Sequence, residues 1–277
     1  MKFGAVFPAE IGADPLIIRD FVQAIEGAGY DYILTYEQIV DKKSDSDPTA
    51  WLEPLVLLGY IAALSDKLEL ATGISVLPSR QTVLVAKQVA LLDRLCGGRM
   101  RYGVSVGWNE AEYQAMGVPM KARGKRLDVQ ISLLRGLWTK PFVSHDDAYH
   151  TLNDVGIYPQ PIQQPVPIWI GGYSDATLRR VAHLGDGWLA DNQTPESVRE
   201  KRDLLHRYIE EAGRSPADIG LEIVDVRLNE TRDWSKWIQD WDDVGADYMS
   251  VTTRYGKYQS PQEHIAAFRR FIEAVRG

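Results

Sequence analysis

Short apolar runs alternate with longer amphipathic stretches from one end of this chain to the other. Residues 2–7, 30–36, 68–74, 99–106, 167–170, 187–190, 221–228 and 248–253 read as strands. Between them, 15–28, 53–64, 82–95, a stretch including 127–137, 175–184, 195–212, 234–244 and 261–275 show helical spacing of apolar side chains. The punctuation agrees. Gly29 follows the first helical stretch, Cys96-Gly97-Gly98 follows the third, and Pro195 opens another. Strict alternation of this kind requires right-handed crossovers and a parallel sheet. Eight such units fit a (β/α)8 TIM barrel, and a chain of 277 residues is the size of one. An open doubly wound sheet would carry a glycine-rich turn after its first strand. Here that strand runs into Phe7-Pro8-Ala9-Glu10.

The expected organisation is one domain over residues 1–277. Residues 139–166, polar and rich in proline, form an insertion between the fourth helix and the fifth strand. A connection of that length marks it as a candidate lid.

Charge and composition narrow the function. Lys+Arg 31 against Asp+Glu 38 leaves a net charge of −7, the wrong sign for a nucleic-acid footprint. No run approaches the ~18 apolar residues of a membrane span. The first residues are too soon interrupted for a signal peptide, and Cys96 is the single cysteine. A cytoplasmic protein without disulfides is the expectation, with neither nucleic acid nor membrane as partner.

In such a barrel the active site lies where the strands end. Those ends read Glu37-Gln38, Thr72-Gly73-Ile74, Gly107-Trp108-Asn109-Glu110, Gly171-Gly172-Tyr173-Ser174, Ala190-Asp191-Asn192, Arg227 and Thr252-Thr253-Arg254. They are rich in glycine, aromatics and hydrogen-bonding groups. The five histidines, His145, His150, His183, His206 and His264, fall in the insertion or on helices, so no metal ligands are assigned. Gly171 and Gly172 let a ligand approach the backbone, and Ser174 or Asp175 caps the helix that follows. Free N–H groups there suit a phosphate, and equally describe a tight turn with a capped helix. Glu37 and Glu110 are candidate acids or bases, or ordinary surface carboxylates. Trp108 follows a strand-ending glycine and is the tryptophan best placed to face the site.

These strand ends, in this order, resemble the bacterial luciferase-like superfamily of flavin and deazaflavin oxidoreductases. The resemblance spans the chain. It is most specific over Leu77-Pro78-Ser79-Arg80, Ala86-Lys87-Gln88-Val89-Ala90-Leu91-Leu92-Asp93-Arg94-Leu95 and Gly103-Val104-Ser105-Val106-Gly107-Trp108-Asn109-Glu110-Ala111-Glu112-Tyr113. Arg123-Gly124-Lys125-Arg126-Leu127-Asp128, Pro167-Ile168-Trp169-Ile170-Gly171-Gly172 and Gly185-Asp186-Gly187-Trp188 extend it. The closest likeness is to small members assigned to coenzyme F420.

The resemblance implies a cofactor ring across the barrel mouth, backed by a non-prolyl cis peptide at the position of Gly73 and Ile74. It implies a cofactor phosphate at Gly171, Gly172, Tyr173 and Ser174. Glu37, Thr72, Gly107 and Trp108 complete the expected cofactor contacts, and Gln38 and Glu110 are the expected catalytic pair. Many deazaflavin members end the second strand in an acidic residue followed by histidine. Gln38 stands in that place and can hydrogen-bond without titrating. Trp108 stands roughly where deazaflavin sugar dehydrogenases carry a glutamate, with Glu110 two residues on. A reductase asks mainly for positioning, so the leading expectation is hydride transfer between F420 and a small organic substrate. The alternative is an FMN-dependent monooxygenase that takes reduced flavin from a partner reductase and activates oxygen. A homodimer is implied in either case.

Overall fold

The computed structural model describes residues 1–40, 51–191, 193–228, 233–254 and 256–276. Asn192, one of the expected strand-end residues, lies outside them. The eight barrel strands, in chain order, are Lys2–Val6, Tyr32–Thr35, Glu69–Thr72, Met100–Ser105, Ile168–Gly171, Gly187–Asp191, Gly220–Arg227 and Tyr248–Thr252. Each pairs in parallel with its neighbours in sequence, and the first pairs with the eighth through Lys2 opposite Tyr248. The third pairs with the fourth through Leu70 opposite Met100, and the fourth with the fifth through Tyr102 opposite Ile168. The ring is therefore closed, with no open edge between the first and eighth barrel strands.

The helices form where local chemistry starts and stops them. In Pro15–Ala28, the Asp14 carboxylate accepts the N–H of Leu16 at 2.8 Å, and Pro15 takes the first turn. Ile18, Phe21, Val22 and Ile25 bury one face, and Gly29 ends the helix in the left-handed region at φ 91°. Helix Thr82–Leu95 buries Val85, Ala86, Val89 and Leu92 and stops before Gly97 and Gly98. The main apolar core lies between this helical ring and the strands.

The barrel interior is filled rather than hollow. Arg101 is fully enclosed, paired with Glu222, and stacked by Tyr32, Trp169 and Tyr248 at 4.8, 4.5 and 4.5 Å. The rings need small residues opposite them. A Cβ on Gly4 would lie 2.1 Å from the Tyr32 ring, and one on Gly187 would lie 2.2 Å from Trp169. This plug closes the barrel below and leaves its C-terminal mouth as the open end.

Residues 139–166 fold as an antiparallel hairpin of Val143–Asp146 and Thr151–Val155, followed by a return segment. The buried Asp93 carboxylate staples that segment. It accepts the N–H groups of Ile162 and Gln163 at 2.8 and 3.0 Å and the Gln163 side chain at 2.7 Å. The insertion thus lies along the outer helices Thr82–Leu95 and Arg123–Thr139.

Candidate functional site

A cavity of about 670 Å3 opens among the C-terminal strand ends, a volume within the ordinary range for cofactor sites. Its floor is made where the third strand ends. The Gly73–Ile74 peptide is cis. A Cβ on Gly73 would lie 2.4 Å from Leu34 Cδ2, so glycine alone allows this approach. Ile74, Val76, Leu189 and Val224 supply apolar surface.

Glu37 lines the cavity, but its carboxylate is wholly buried and fully used. It accepts the Val76 N–H at 2.8 Å, the Ser75 hydroxyl at 2.9 Å and Arg80 Nη2 at 2.6 Å. Arg80 also holds Glu53 at 2.8 Å. Burial alone would lower the Arg80 pKa, and the adjacent Glu37 carboxylate outweighs it and keeps the guanidinium charged. Glu37 is therefore a brace that fixes the backbone just beyond Gly73–Ile74.

The opposite wall ends in the expected helix terminus. Gly172 sits at φ 116°, where a Cβ would lie 3.2 Å from Thr177 Oγ1. Trp188 Nε1 donates to the Gly172 carbonyl at 2.7 Å, and Ser105 Oγ donates to the Gly171 carbonyl at 2.9 Å. Ser174 caps helix Asp175–Leu184 by accepting the Thr177 N–H at 3.2 Å. The first N–H groups of that helix have no intrahelical acceptor and carry the positive end of its dipole. A phosphate fits here by the same chemistry as at other helix N-termini.

Of the expected residues, Glu37, Gln38, Gly73, Ile74, Gly107, Trp108, Gly171, Gly172, Tyr173 and Ser174 all line this cavity. Two do not. The Thr72 hydroxyl donates to the Gly103 carbonyl at 2.7 Å and accepts the Gly103 N–H at 2.9 Å. Thr72 ties the third strand to the fourth, with its hydroxyl hydrogen already committed to Gly103. Glu110 is exposed on the first turn of Glu110–Ala115, which Asn109 caps. Two residues are about 200° of rotation on a helix, so Glu112, rather than Glu110, faces the cavity.

Glu112 is the residue that sequence reasoning missed. It is 4% exposed and accepts the Ile39 N–H at 2.6 Å. Burial raises its pKa above the usual 4.5, and the charge of Glu37 adds to that. The Ile39 N–H and Arg80 act in the other direction. Its pairing with Tyr113 in an amphipathic phase after an Asn cap was the available signal. Tyr36, Trp51 and Arg254 also line the cavity, and the Arg254 guanidinium lies 4.7 Å from the Trp51 ring centroid. Trp108 is 81% exposed at the mouth. No residue of 139–166 lines the described cavity, because the hairpin is anchored to outer helices, so the lid expectation finds no contact there. Among the described residues, no metal-ligating cluster lies in the cavity.

The site joins a glycine-lined, helix-terminal anion pole to an apolar floor. Those are the two requirements of a phosphorylated tricyclic cofactor, and the residues present fit one. Comparison with known proteins agrees. A family model described as luciferase-like monooxygenase matches residues 1–228. An uncharacterized protein of Mycobacterium tuberculosis is 33% identical over 227 residues, covering 76% of this chain and 78% of its own length. An FMNH2-dependent dimethylsulfone monooxygenase of Pseudomonas putida is 27% identical over 190 residues, 67% of this chain and 51% of that protein. The structure of an F420-dependent secondary alcohol dehydrogenase in complex with an F420–acetone adduct superposes with a TM-score of 0.82 at 15% identity. That match covers 100% of this chain and 99% of the other.

Proposed function

The chain belongs to the luciferase-like monooxygenase family, and from that premise we propose that it is an oxidoreductase using coenzyme F420 to reduce a small organic substrate. The observation that carries the reading is the single cavity with an anion pole at Gly172 and Ser174 and a floor at Gly73–Ile74. The cofactor's phosphate belongs at the first pole and its ring over the second. A reduced deazaflavin supplies a hydride, which is the difficult part of the chemistry. The chain's own residues do the rest. Glu37, through Ser75 and Val76, holds the floor rigid. Gln38 offers a neutral amide at the cavity wall. Glu112, whose burial shifts it toward the protonated form, would donate a proton to the substrate atom next to the one receiving hydride and be recharged from water. An activated C=C or C=O bond is the substrate class that this balance satisfies. Buried general acids of this kind contribute about a hundredfold or more.

The FMN-dependent reading stays as the second, favoured by the printed function of the Pseudomonas putida relative. It would require reduced flavin from a partner reductase. Parallel fluorescence titrations with F420 and FMN test the choice. F420 binding with weak or absent FMN binding supports hydride transfer, and the reverse supports oxygen activation. Gln38→His tests the side chain at the wall. It should introduce a new ionisation near neutral pH in the turnover profile, and an unchanged profile would place Gln38 outside the chemistry.

We further propose a homodimer. Helices Pro54–Ala62 and Thr82–Leu95 expose Val56, Tyr60, Leu84, Leu91 and Leu95 on their outer faces. Adjacent exposed apolar side chains of this size are a mark of association. No described helix is long and apolar enough to cross a membrane.

A further inference from the structure

The tip of the 139–166 hairpin carries His145-Asp146-Asp147-Ala148-Tyr149-His150, a sequence that the oxidoreductase reading does not use. The fold gathers three of these side chains. One ligand atom from each of His145, Asp147 and His150 can be chosen so that all lie within 4.8 Å of one another. His145 Nε2 is 3.1 Å from Asp147 Oδ2, and His150 Nδ1 is 3.3 Å from Asp147 Oδ1. With zinc–nitrogen and zinc–oxygen bonds near 2.1 Å, two ligands of a tetrahedral ion stand ~3.4 Å apart. The His145 Nε2 to Asp147 Oδ2 spacing is close to that figure, and the third ligand atom lies within the 4.8 Å bound of the set.

The hydrogen bonding around the three groups points the same way. Asp147 Oδ1 accepts the N–H groups of Tyr149 and His150, both at 2.7 Å, which fixes the carboxylate and leaves Oδ2. Asp147 Oδ2 and His145 Nε2 are both buried and lack hydrogen-bond geometry to any protein group. His150 Nε2 lies 2.6 Å from Thr82 Oγ1, and Gln130 Nε2 lies 3.0 Å from the same oxygen. A histidine whose far nitrogen is held by an outer partner is oriented to bind metal through the near one.

We propose that His145, Asp147 and His150 bind one divalent transition-metal ion of the zinc class, through both imidazoles and Oδ2 of Asp147, with water in the fourth position. The ion clasps the hairpin tip against the start of helix Thr82–Leu95. The donor set has two nitrogens and one carboxylate, which suits zinc and its neighbours rather than calcium or magnesium.

The test uses the full chain, stripped with a chelator and dialysed against zinc chloride, with bound metal counted per chain. The expected result is one zinc per chain at micromolar affinity or tighter. His145→Ala, Asp147→Asn and His150→Gln should each weaken it at least about tenfold, with circular dichroism and cofactor binding unchanged. Cobalt(II) in place of zinc should give the intense visible absorption of a tetrahedral site. His145 is the least buried of the three, so its variant keeps the test valid should His150→Gln fail to fold. Absence of zinc binding, or equal binding by wild type and His145→Ala, would overturn the proposal and leave the cluster a histidine–aspartate ion pair.

Discussion

Glu112 and Glu37 occupy the same cavity wall and are set to different tasks by what surrounds them. Glu37 is saturated by Ser75, Val76 and Arg80, and so serves as a brace. Glu112 has one backbone donor and is largely desolvated, and so retains its proton to higher pH than an ordinary glutamate. Glu112→Gln should lower turnover about a hundredfold or more while leaving cofactor affinity in place, read from kcat beside a binding titration. The sign for stability follows from the same shift. A carboxyl with a raised folded pKa stabilises fully below its unfolded value, near 4.5, and loses that contribution as pH rises through the folded value. Thermal melts should therefore show Glu112→Gln at least as stable as wild type at alkaline pH. A variant less stable there would mean that the ionised carboxylate is a structural partner. Glu110, exposed on the other face of its short helix, should tolerate alanine with no loss of turnover.

At the scale of elements, the residues that terminate helices were legible, and the phase of short ones was not. Helices Pro15–Ala28, Thr82–Leu95 and Asp175–Leu184 begin and end where the sequence predicts, because Asp14, Pro15, Ser174 and the glycines at 29 and 97 act locally. Asp14→Ala should cost about 1 kcal/mol in denaturant unfolding, since it removes the acceptor for the Leu16 N–H. The contacts that local pattern did not convey all depend on distant partners. Thr72 reads as a strand-end hydroxyl until Gly103 is seen to occupy it. The staple that Asp93, on another helix, sets on the return of the insertion is likewise invisible in the local pattern. Glu112 needed the helical phase that Asn109 sets. The glycine-lined turn at 171–174 was readable because two adjacent glycines and a capping serine define it without help from elsewhere.

For the whole molecule, the alternation of strands and helices pointed to a parallel sheet covered on both faces, and the eightfold count with Phe7-Pro8-Ala9-Glu10 in place of a glycine-rich turn pointed to the closed barrel. What pattern could not convey is the content of the barrel. The Arg101–Glu222 pair under Tyr32, Trp169 and Tyr248 forms from five separate strands. The outer faces of Pro54–Ala62 and Thr82–Leu95 carry the association prediction. Leu91→Glu should convert a dimer to a monomer in analytical ultracentrifugation, and a wild-type monomer at micromolar concentration would refute the dimer.

The central claim is that one cavity holds the F420 phosphate at Gly172 and its ring over Gly73–Ile74. The most direct measurement is an F420 fluorescence titration of wild type beside Gly172→Val, with FMN run in parallel. At Gly172 a side chain is both strained at φ 116° and pressed against Thr177. The account predicts saturable F420 binding by wild type, loss of at least about tenfold in affinity in the variant, and weaker FMN binding. Failure of wild type to bind F420 while binding FMN tightly, or equal F420 affinity in Gly172→Val, would contradict it.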